Sequence, residues 1–444
     1  MNVKIIHLIL LLLFLTGQSI AQEKMSLEDC IAYAHQHNLQ LNSKAISNTL
    51  LKENYNQSKR NLLPSIGAGT SHGMNFGRYV DQTENKIIST ESQSHSFSVS
   101  GSIDIFKGFQ KQNLIRYNKL RLLAGLKDKE QQQFNIAFEV ISAYYDVQYY
   151  QGLIAITREQ LAVSKMKLDQ SIALAKTGKI ARTDVVEIEA NLAQEEYNKI
   201  DVENRLNLAI LQLKQVMNFP QHEKLLINYK TATLLTDEIV NENSVKLYEV
   251  ALTHVPTIKE GELLLSSSKK NLAMTRSNLL PSLKLSGSYG TRYSDTQKDA
   301  TGNARSLRDQ LKSNANQSVG LSVSIPLFSR LSGRSEVKKA KLNMVLASNE
   351  LDIRKQNLLN EIVATTQLAT AYQRSYVQAI KQNEAAKLAF EVADKKLKQG
   401  LINIVEYYSA KYSLASSESR ILQTALQYKT KARLINFYKG IPIY

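Results

Sequence analysis

The sequence has no tryptophan, one cysteine and only six prolines in 444 residues. With Cys30 as its only cysteine, the chain has no internal disulfide framework and no cysteine-based zinc or iron–sulfur site. The few prolines, together with only 18 glycines, predict long uninterrupted elements. The net charge is +16, but no run of five like charges occurs, so the sequence does not indicate a nucleic-acid partner.

Residues 1–21 have the pattern of a signal peptide. Lys4 gives a positive start, residues 5–15 are an apolar stretch, and Ser19 and Ala21 are the small residues that precede a cleavage site. A short N-terminal membrane anchor is the alternative, but a spanning helix needs roughly 20 apolar residues. The mature chain is therefore expected to be exported. No later apolar run approaches spanning length, so a membrane role would require β-strands.

The rest of the sequence is a tandem repeat. The residues NLLPS at 61–65 recur at 278–282, and later landmarks recur with an offset of 222. Such a tandem duplication predicts two copies of one structural unit. The first structural repeat is predicted to cover residues 22–240, and the second residues 241–444.

Each repeat contains one very long helical pattern. Residues 334–399 include neither glycine nor proline, and at 1.5 Å per residue such a helix is about 100 Å long. From Ile136 and from Leu358, mostly apolar residues recur at alternating spacings of three and four, which is the heptad seam of a coiled coil. Gly178 and Gly400 end the two patterns and are predicted turns between antiparallel helices. An ordinary coiled-coil rod would also explain these seams.

Between the helical patterns, the period of the sequence changes to two. In residues 96–105 and 318–327, apolar side chains alternate mostly with serine. Strand pairs are predicted at about 65–106 and 282–328. Segments of about ten residues that are apolar on one face and polar on the other are typical of transmembrane β-strands, although a soluble sheet packed on a core shows the same alternation.

Four strands cannot close a barrel, and unpaired strand edges are not tolerated in hydrocarbon. The chain is therefore expected to form oligomers in which several four-stranded contributions make one wall. The serine-rich faces would then line a wet lumen that the helices continue. Such an assembly is a conduit.

These features together resemble the TolC-like family of bacterial outer-membrane efflux proteins. The resemblance covers essentially the whole mature chain, including the strand entries at Pro64 and Pro281 and the ending INFYKGIP at 435–442. It implies a mainly α fold with a membrane β part, assembled as a homotrimer with an α-helical barrel and a twelve-stranded transmembrane β-barrel. It also implies three kinds of neighbour, namely a periplasmic adaptor, an inner-membrane pump and outer-membrane lipid.

The resemblance also assigns roles to two tips, at about 177–184 and 399–406. In the family, acids six and nine residues after the second glycine ring a closed aperture. Those positions hold Glu406 and Ser409, so only the first acid is present. With the matching positions of the first repeat, the predicted periplasmic gate residues are Glu406, Asp184 and Glu187. The alternative is that each acid only complements the dipole of a helix N-terminus.

An exposed turn is the part of a helical hairpin that a partner protein can reach. The residues predicted to dock on the adaptor are Gly178, Lys179, Ile180, Gly400, Leu401 and Ile402. The alternative is that these residues form plain connecting loops.

No catalytic or cofactor motif occurs in the sequence. It has no phosphate-binding glycine loop and no nucleophile elbow, and His35 and His37, two residues apart on a helix, face different directions. We therefore expect no enzyme activity, no cofactor and no metal.

The expected function is a passive outer-membrane exit duct of a tripartite efflux or type I secretion system. The alternative is a non-conducting periplasmic coiled-coil scaffold or adaptor, which has no use for strands with serine on one face. Small molecules and polypeptides are equally open as the exported substrate.

Overall fold

The computed structural model describes residues 24–81, 86–89, 91–229, 243–299 and 301–442. The predicted signal peptide and the predicted boundary between the repeats lie outside these ranges. The helices are α1 (Leu27–His37), α2 (Leu39–Arg60), α3 (Gln110–Lys176), α4 (Arg182–Met217), α5 (Ser244–His254), α6 (Pro256–Ser277), α7 (Leu307–Ser313), α8 (Ser332–Lys398) and α9 (Ile404–Tyr438). The strands are β1 (Ser65–Asn75), β2 (Arg78–Asp81), β3 (Lys86–Ser89), β4 (Ser92–Lys107), β5 (Ser282–Ser294) and β6 (Asn316–Ser324).

The chain divides into two units, and both halves of the sequence contribute to each. Of the described residues, the helical unit contains 24–45, 128–229, 243–258 and 354–442. The strand unit consists of Ile46–Lys127 and Lys259–Ile353. Helices α3 and α8 therefore supply residues to both units.

Helices α3 and α8 are duplicates of one element. Both are 67 residues long, and their first residues, Gln110 and Ser332, are 222 positions apart. The predicted seams are buried or half-buried throughout the helical unit. In α3 the seam is Ile136, Val140, Ala143, Val147, Tyr150, Ile154, Thr157, Leu161, Ser164, Leu168, Ser171 and Ala175; in α8 it is Leu358, Ile362, Thr365, Ala369, Tyr372, Tyr376, Ala379, Asn383, Ala386, Phe390, Ala393 and Leu397. The heptad period thus identified the packed face of each helix.

The largest core of the helical unit forms where α1 packs between the other helices. Cys30 and Ala34 of α1 are fully buried and lie in one cluster with Ile141 and Leu213. Burial raises the pKa of the Cys30 thiol to about 12, and the nearby charges of Asp29 and Glu28 add to the shift. This thiol is therefore protonated and enclosed at neutral pH.

The strand unit contains a four-stranded antiparallel sheet in the order β1-β4-β5-β6. Strands β4 and β5 come from different halves of the chain, and they pair from Ser94 opposite Ser294 to Lys107 opposite Ser282, with a bulge after Asp104. The fold class expected from the sequence, mainly helical with a smaller β part built from duplicated units, is confirmed.

The structure differs from the strand predictions at three places. The polar connection after β1 contains an additional hairpin of β2 and β3, and the connection after β5 contains the short helix α7. Strand β6 ends at Ser324, whereas the alternation predicted a strand that continues to Leu327. Pro326 has no backbone N–H to extend the ladder, which explains the earlier end.

Candidate functional site: the helical tips and the strand faces

The two tips are formed by the same backbone motif. At the first tip, the N–H of Gly178 donates to the carbonyl of Ala175 and that of Lys179 to Leu174; at the second, Gly400 donates to Leu397 and Leu401 to Lys396. This pair of bonds is a Schellman motif, which requires a left-handed residue after the helix. Gly178 and Gly400 supply it, with φ of 73° and 71°. Both predicted turns are therefore present.

The side chains at the tips follow one pattern of exposure. Lys179 and its counterpart Leu401 are exposed, and Leu401 keeps 67% of its accessible surface. The following residues, Ile180 and Ile402, are both half-buried. Each tip therefore has a half-buried isoleucine and one exposed side chain. The exposed side chain is the cationic Lys179 at the first tip and the apolar Leu401 at the second.

Asp184 and Glu406 lie in the first turns of α4 and α9, and Glu187, the third predicted gate acid, lies in the second turn of α4. Glu406 is exposed, while Asp184 and Glu187 are half-buried. The N–H of Glu406 donates to the side chain of Asn403, the N-cap of α9, at 2.9 Å. The equivalent N-cap of α4, Ala181, makes no side-chain hydrogen bond. Asp184 and Glu406 thus lie where a helix dipole favours an acid, and for all three acids the role of gate stays a prediction.

An apolar cluster holds the two hairpins together next to the tips. Ile188 of α4 packs with Ile404, Tyr407 and Tyr408 of α9, and all four side chains are buried. Ile402 of the second tip packs against this cluster. Displacement of one hairpin relative to the other would expose these side chains to water.

Beside this cluster lies a buried ion pair that the sequence reasoning missed. The Nζ atom of Lys411 donates to Glu195 Oε1 at 2.8 Å, to the carbonyl of Gln160 at 2.7 Å and to Ser164 Oγ. Burial lowers the pKa of Lys411, and Glu195 opposes this shift. The ammonium group therefore joins α9 to both α3 and α4.

A signal for the burial of Lys411, although not for its pairing with Glu195, was present in the sequence. Lys411 continues the apolar spacing of Ile404 and Tyr408 in α9, so it occupies a position where a charge is unexpected. Ser164 is one of the small polar exceptions in the seam of α3. A lysine and a serine at core positions of neighbouring helices indicate a buried polar contact.

The four-stranded sheet has two faces of opposite character. On one face, serines stand opposite each other on neighbouring strands, and Ser71–Ser96 and Ser288–Ser318 are hydrogen-bonded at 2.7 and 2.8 Å. The other face is apolar and uncovered by the described residues. Its exposed side chains include Ile66, Val99, Val319, Leu321 and Val323. A soluble sheet would need a core over this face, so the exposure favours the membrane interpretation.

The predicted strand entries lie at the helix ends of the sheet. Pro64 and Pro281 directly precede β1 and β5, and both are exposed. Within the described ranges, no group of three or more His, Cys, Asp or Glu side chains is placed to hold a metal ion. Nor does any described helix carry an apolar stretch sufficient to cross a membrane.

The family model for outer membrane efflux proteins matches residues 31–218 and 247–438, which is most of the chain and includes both long helices and the four-stranded sheet. The chain belongs to the outer membrane efflux protein family. The predicted family and the predicted location in the outer membrane are therefore confirmed, and the protein is an exit duct of that membrane.

Several relatives of this outer membrane efflux protein extend over nearly its whole length. It is 24% identical to the outer membrane protein TolC of Escherichia coli, over 96% of this chain and 86% of the relative. The structure of CusC, 14% identical, superposes with a TM-score of 0.81 over 94% of this chain and 92% of CusC. The CmeC outer membrane channel of Campylobacter jejuni, 16% identical, gives 0.78 over 93% of this chain and 85% of CmeC. At these identities, the solved structures support the fold alone.

Proposed function

We propose that the protein forms the passive outer-membrane exit duct of a tripartite efflux or type I secretion system. The observation that carries this proposal is the combination of a serine-lined face and an exposed apolar face on one four-stranded sheet. Lipid would cover the apolar face, and water with the exported substrate would contact the serine face. The protein would perform no chemistry of its own.

The sheet order supports assembly into a homotrimer. Strands β1 and β6 stand at the two ends of the sheet, so each has one edge without a partner in the sheet. In hydrocarbon such edges need a second chain, and three copies of four strands give the twelve-stranded barrel of the TolC-like architecture. The family is associated with a periplasmic adaptor and an inner-membrane pump. We therefore propose that the adaptor docks on the two tips and contacts Lys179, Leu401 and the glycine before each.

Single-channel recording in planar bilayers tests the duct. Wild type, Glu406→Ala and, as a control, Glu384→Ala, which removes an exposed acid of α8, would be compared after detergent extraction. Small cation-preferring currents that grow only in Glu406→Ala support a duct with a carboxylate ring at its tip. Equal large currents in all three keep the duct and remove Glu406 as its gate.

The alternative of a non-conducting scaffold makes a different prediction in this experiment. Silence from all variants, with insertion confirmed, would reject the duct. Extraction of the protein without detergent would point the same way.

A further inference from the structure

A polar cleft of about 610 Å3 lies in the strand unit, where α2 and α3 meet the ends of the strands. Four basic side chains and one acidic side chain are among its lining residues, namely Arg60, Lys107, Lys111, Lys284 and Asp104. We call it the junction cleft. Its lining carries a clear excess of positive charge.

Among the described residues, two of these basic groups have no partner. Lys111 forms an ion pair with Asp104 at 3.1 Å, and Arg60 pairs with Glu53, which neutralises both. Lys107 and Lys284 are exposed, and neither ammonium group has a hydrogen-bond or ion-pair partner among the residues that the structure describes. The cleft therefore offers two ammonium groups that no described side chain or carbonyl satisfies.

The register of the sheet places both lysines on the serine face. Lys284 is opposite Asp104 on β4 and Ser322 on β6, and Lys107 is opposite Ser282. The serines of the neighbouring pairs lie on this same face because side chains two positions apart on a strand point the same way. In the proposed duct this face is luminal, so the two lysines contact the aqueous path and not the lipid.

The basic residues are not demanded by the duplicated fold. At the equivalent positions of the other repeat, Arg60, Lys107 and Lys111 are replaced by a serine, a serine and a glycine, and Lys284 corresponds to a glycine. These counterparts are Ser277, Ser329, Gly333 and Gly67. The same helix–strand junction is thus built once with these lysines and once without them.

The whole strand unit is the basic part of the chain. It contains 26 Lys and Arg against 13 Asp and Glu, whereas the complete sequence has 56 against 40. Most of the net charge of +16 therefore lies in the unit that contains the cleft. A concave site in a field of one sign concentrates counter-ions.

We propose that the junction cleft binds a carboxylate or phosphate group of an anionic solute as it passes along the serine face. This inference rests on the proposed function, because only a luminal serine face brings a solute to the cleft. Lys107 and Lys284 would donate charge-assisted hydrogen bonds to the anion, with Gln110, at the N-terminus of α3, beside them. In a trimer, six such lysines would lie at one level of the conduit and favour anions there.

The first experiment measures block of single-channel current by tripolyphosphate. The Lys107→Gln, Lys284→Gln double variant would be compared with wild type and with Lys338→Gln, Lys341→Gln, which removes the same charge from exposed sites of α8 in the same unit. We expect the half-blocking concentration to rise about tenfold or more in the cleft variant, for the loss of two charge-assisted bonds, and to stay unchanged in the control. Equal block in all three would overturn the proposal.

The lipid composition of the bilayer tests whether the bound anion is a solute or a lipid headgroup. Recordings in phosphatidylcholine alone and with added phosphatidylglycerol should give the same block and the same ion selectivity. A difference between wild type and the cleft variant that needs phosphatidylglycerol would assign the cleft to lipid headgroups and overturn the luminal site.

A second measurement distinguishes a failure of the anion site from a failure of the proposed duct function. Titration calorimetry of the detergent-solubilised full chain with tripolyphosphate should show binding to wild type and to the control but not to the cleft variant. Absence of binding to wild type overturns the cleft, whatever the conductance. Binding without any channel activity would keep the anion site and reject its luminal role together with the duct.

Discussion

Lys411 of α9 and Glu195 of α4 form an ion pair of 2.8 Å in which the side chains retain 0% and 5% of their accessible surface. The two residues are 216 positions apart, so the pair joins elements from the two halves of the chain. Removing two charges from water is costly, and only close pairing with further hydrogen bonds offsets that cost. Lys411 makes such bonds to Gln160 and Ser164, and the contact is therefore specific to one arrangement of the helices.

Breaking this pair on one side should be much worse than removing it altogether. Lys411→Met leaves the Glu195 carboxylate buried and unpaired, and we expect a loss of about 3–5 kcal/mol in the free energy of unfolding. Lys411→Met with Glu195→Leu should recover a large part of that loss. Thermal and denaturant unfolding in detergent measures both.

The control for that experiment is the exposed pair of Lys165 and Glu196, at 3.3 Å. Lys165→Met should cost less than about 1 kcal/mol because water screens both partners. If Lys411→Met were no more costly than Lys165→Met, the buried pair would have no special role in joining the hairpins.

The tip glycines should be sensitive to alanine for a backbone reason alone. A Cβ at Gly178 or Gly400 would meet no atom within 4 Å, but both have positive φ, so Gly400→Ala should cost roughly 1–2 kcal/mol. Gly152 is the matched contrast, because there a Cβ would collide with Leu422 and the effect should come from packing. Replacement of Gly400 by D-alanine through semisynthesis should be tolerated, and an equal loss with both enantiomers would contradict the backbone explanation.

The N-caps of the two tip helices should respond in opposite directions. Asn403→Ala removes the acceptor for the Glu406 N–H and should cost about 1 kcal/mol. Ala181→Asn introduces a capping side chain at the equivalent uncapped position and should slow exchange of the first amides of α4. Hydrogen exchange of the first turns of α4 and α9 is the readout, and unchanged rates in both variants would count against capping as a determinant of tip order.

Tyr144 should contribute to loss of stability at alkaline pH. Its hydroxyl donates to the carbonyl of Asn228 at 3.0 Å, and burial raises its pKa to about 12, while a tyrosine in the unfolded chain ionises near pH 10. The unfolded state therefore loses its proton first, so the stabilisation is complete below pH 10 and is lost as the pH rises through about 12. Tyr144→Phe should lower stability at pH 7 by about 1 kcal/mol but flatten the fall between pH 10 and 12.

Exposed Tyr197 provides the comparison for this pH series. Tyr197→Phe should leave the melting temperature and its dependence on pH as in wild type. If the stability of Tyr144→Phe and that of wild type fell in parallel between pH 10 and 12, groups other than Tyr144 would cause the alkaline transition.

Long-range order along the helices was predictable because it repeats. The heptad spacing from Leu358 and Ile136 predicted the buried face of each long helix, and the offset of 222 placed Gly178 and Gly400 at equivalent turns. The alternation of serine with apolar residues likewise predicted the two faces of the sheet. A periodic pattern averages over many residues, so single exceptions do not hide it.

The contacts that depend on one residue were not predictable in this way. Whether Lys411 reaches solvent or Glu195 depends on which helices are neighbours, and the sequence distance between the two carries no periodic signal. The junction cleft was unpredictable for the same reason. Lys107 and Lys284 line one cleft only because β4 pairs with β5. Helix α7 and the β2–β3 hairpin also depend on local turn geometry that the polar composition of their segments did not specify.

The enclosure of Cys30 makes the protein a natural carrier for site-specific probes. Its thiol is fully buried and protonated at neutral pH, so maleimide and methanethiosulfonate reagents should leave the folded chain unmodified. One cysteine introduced at Lys179 or at Leu401 would then be the only reactive position. Spin labels or fluorophores could be attached there without first removing Cys30, and movement at each tip could be followed in the otherwise native sequence.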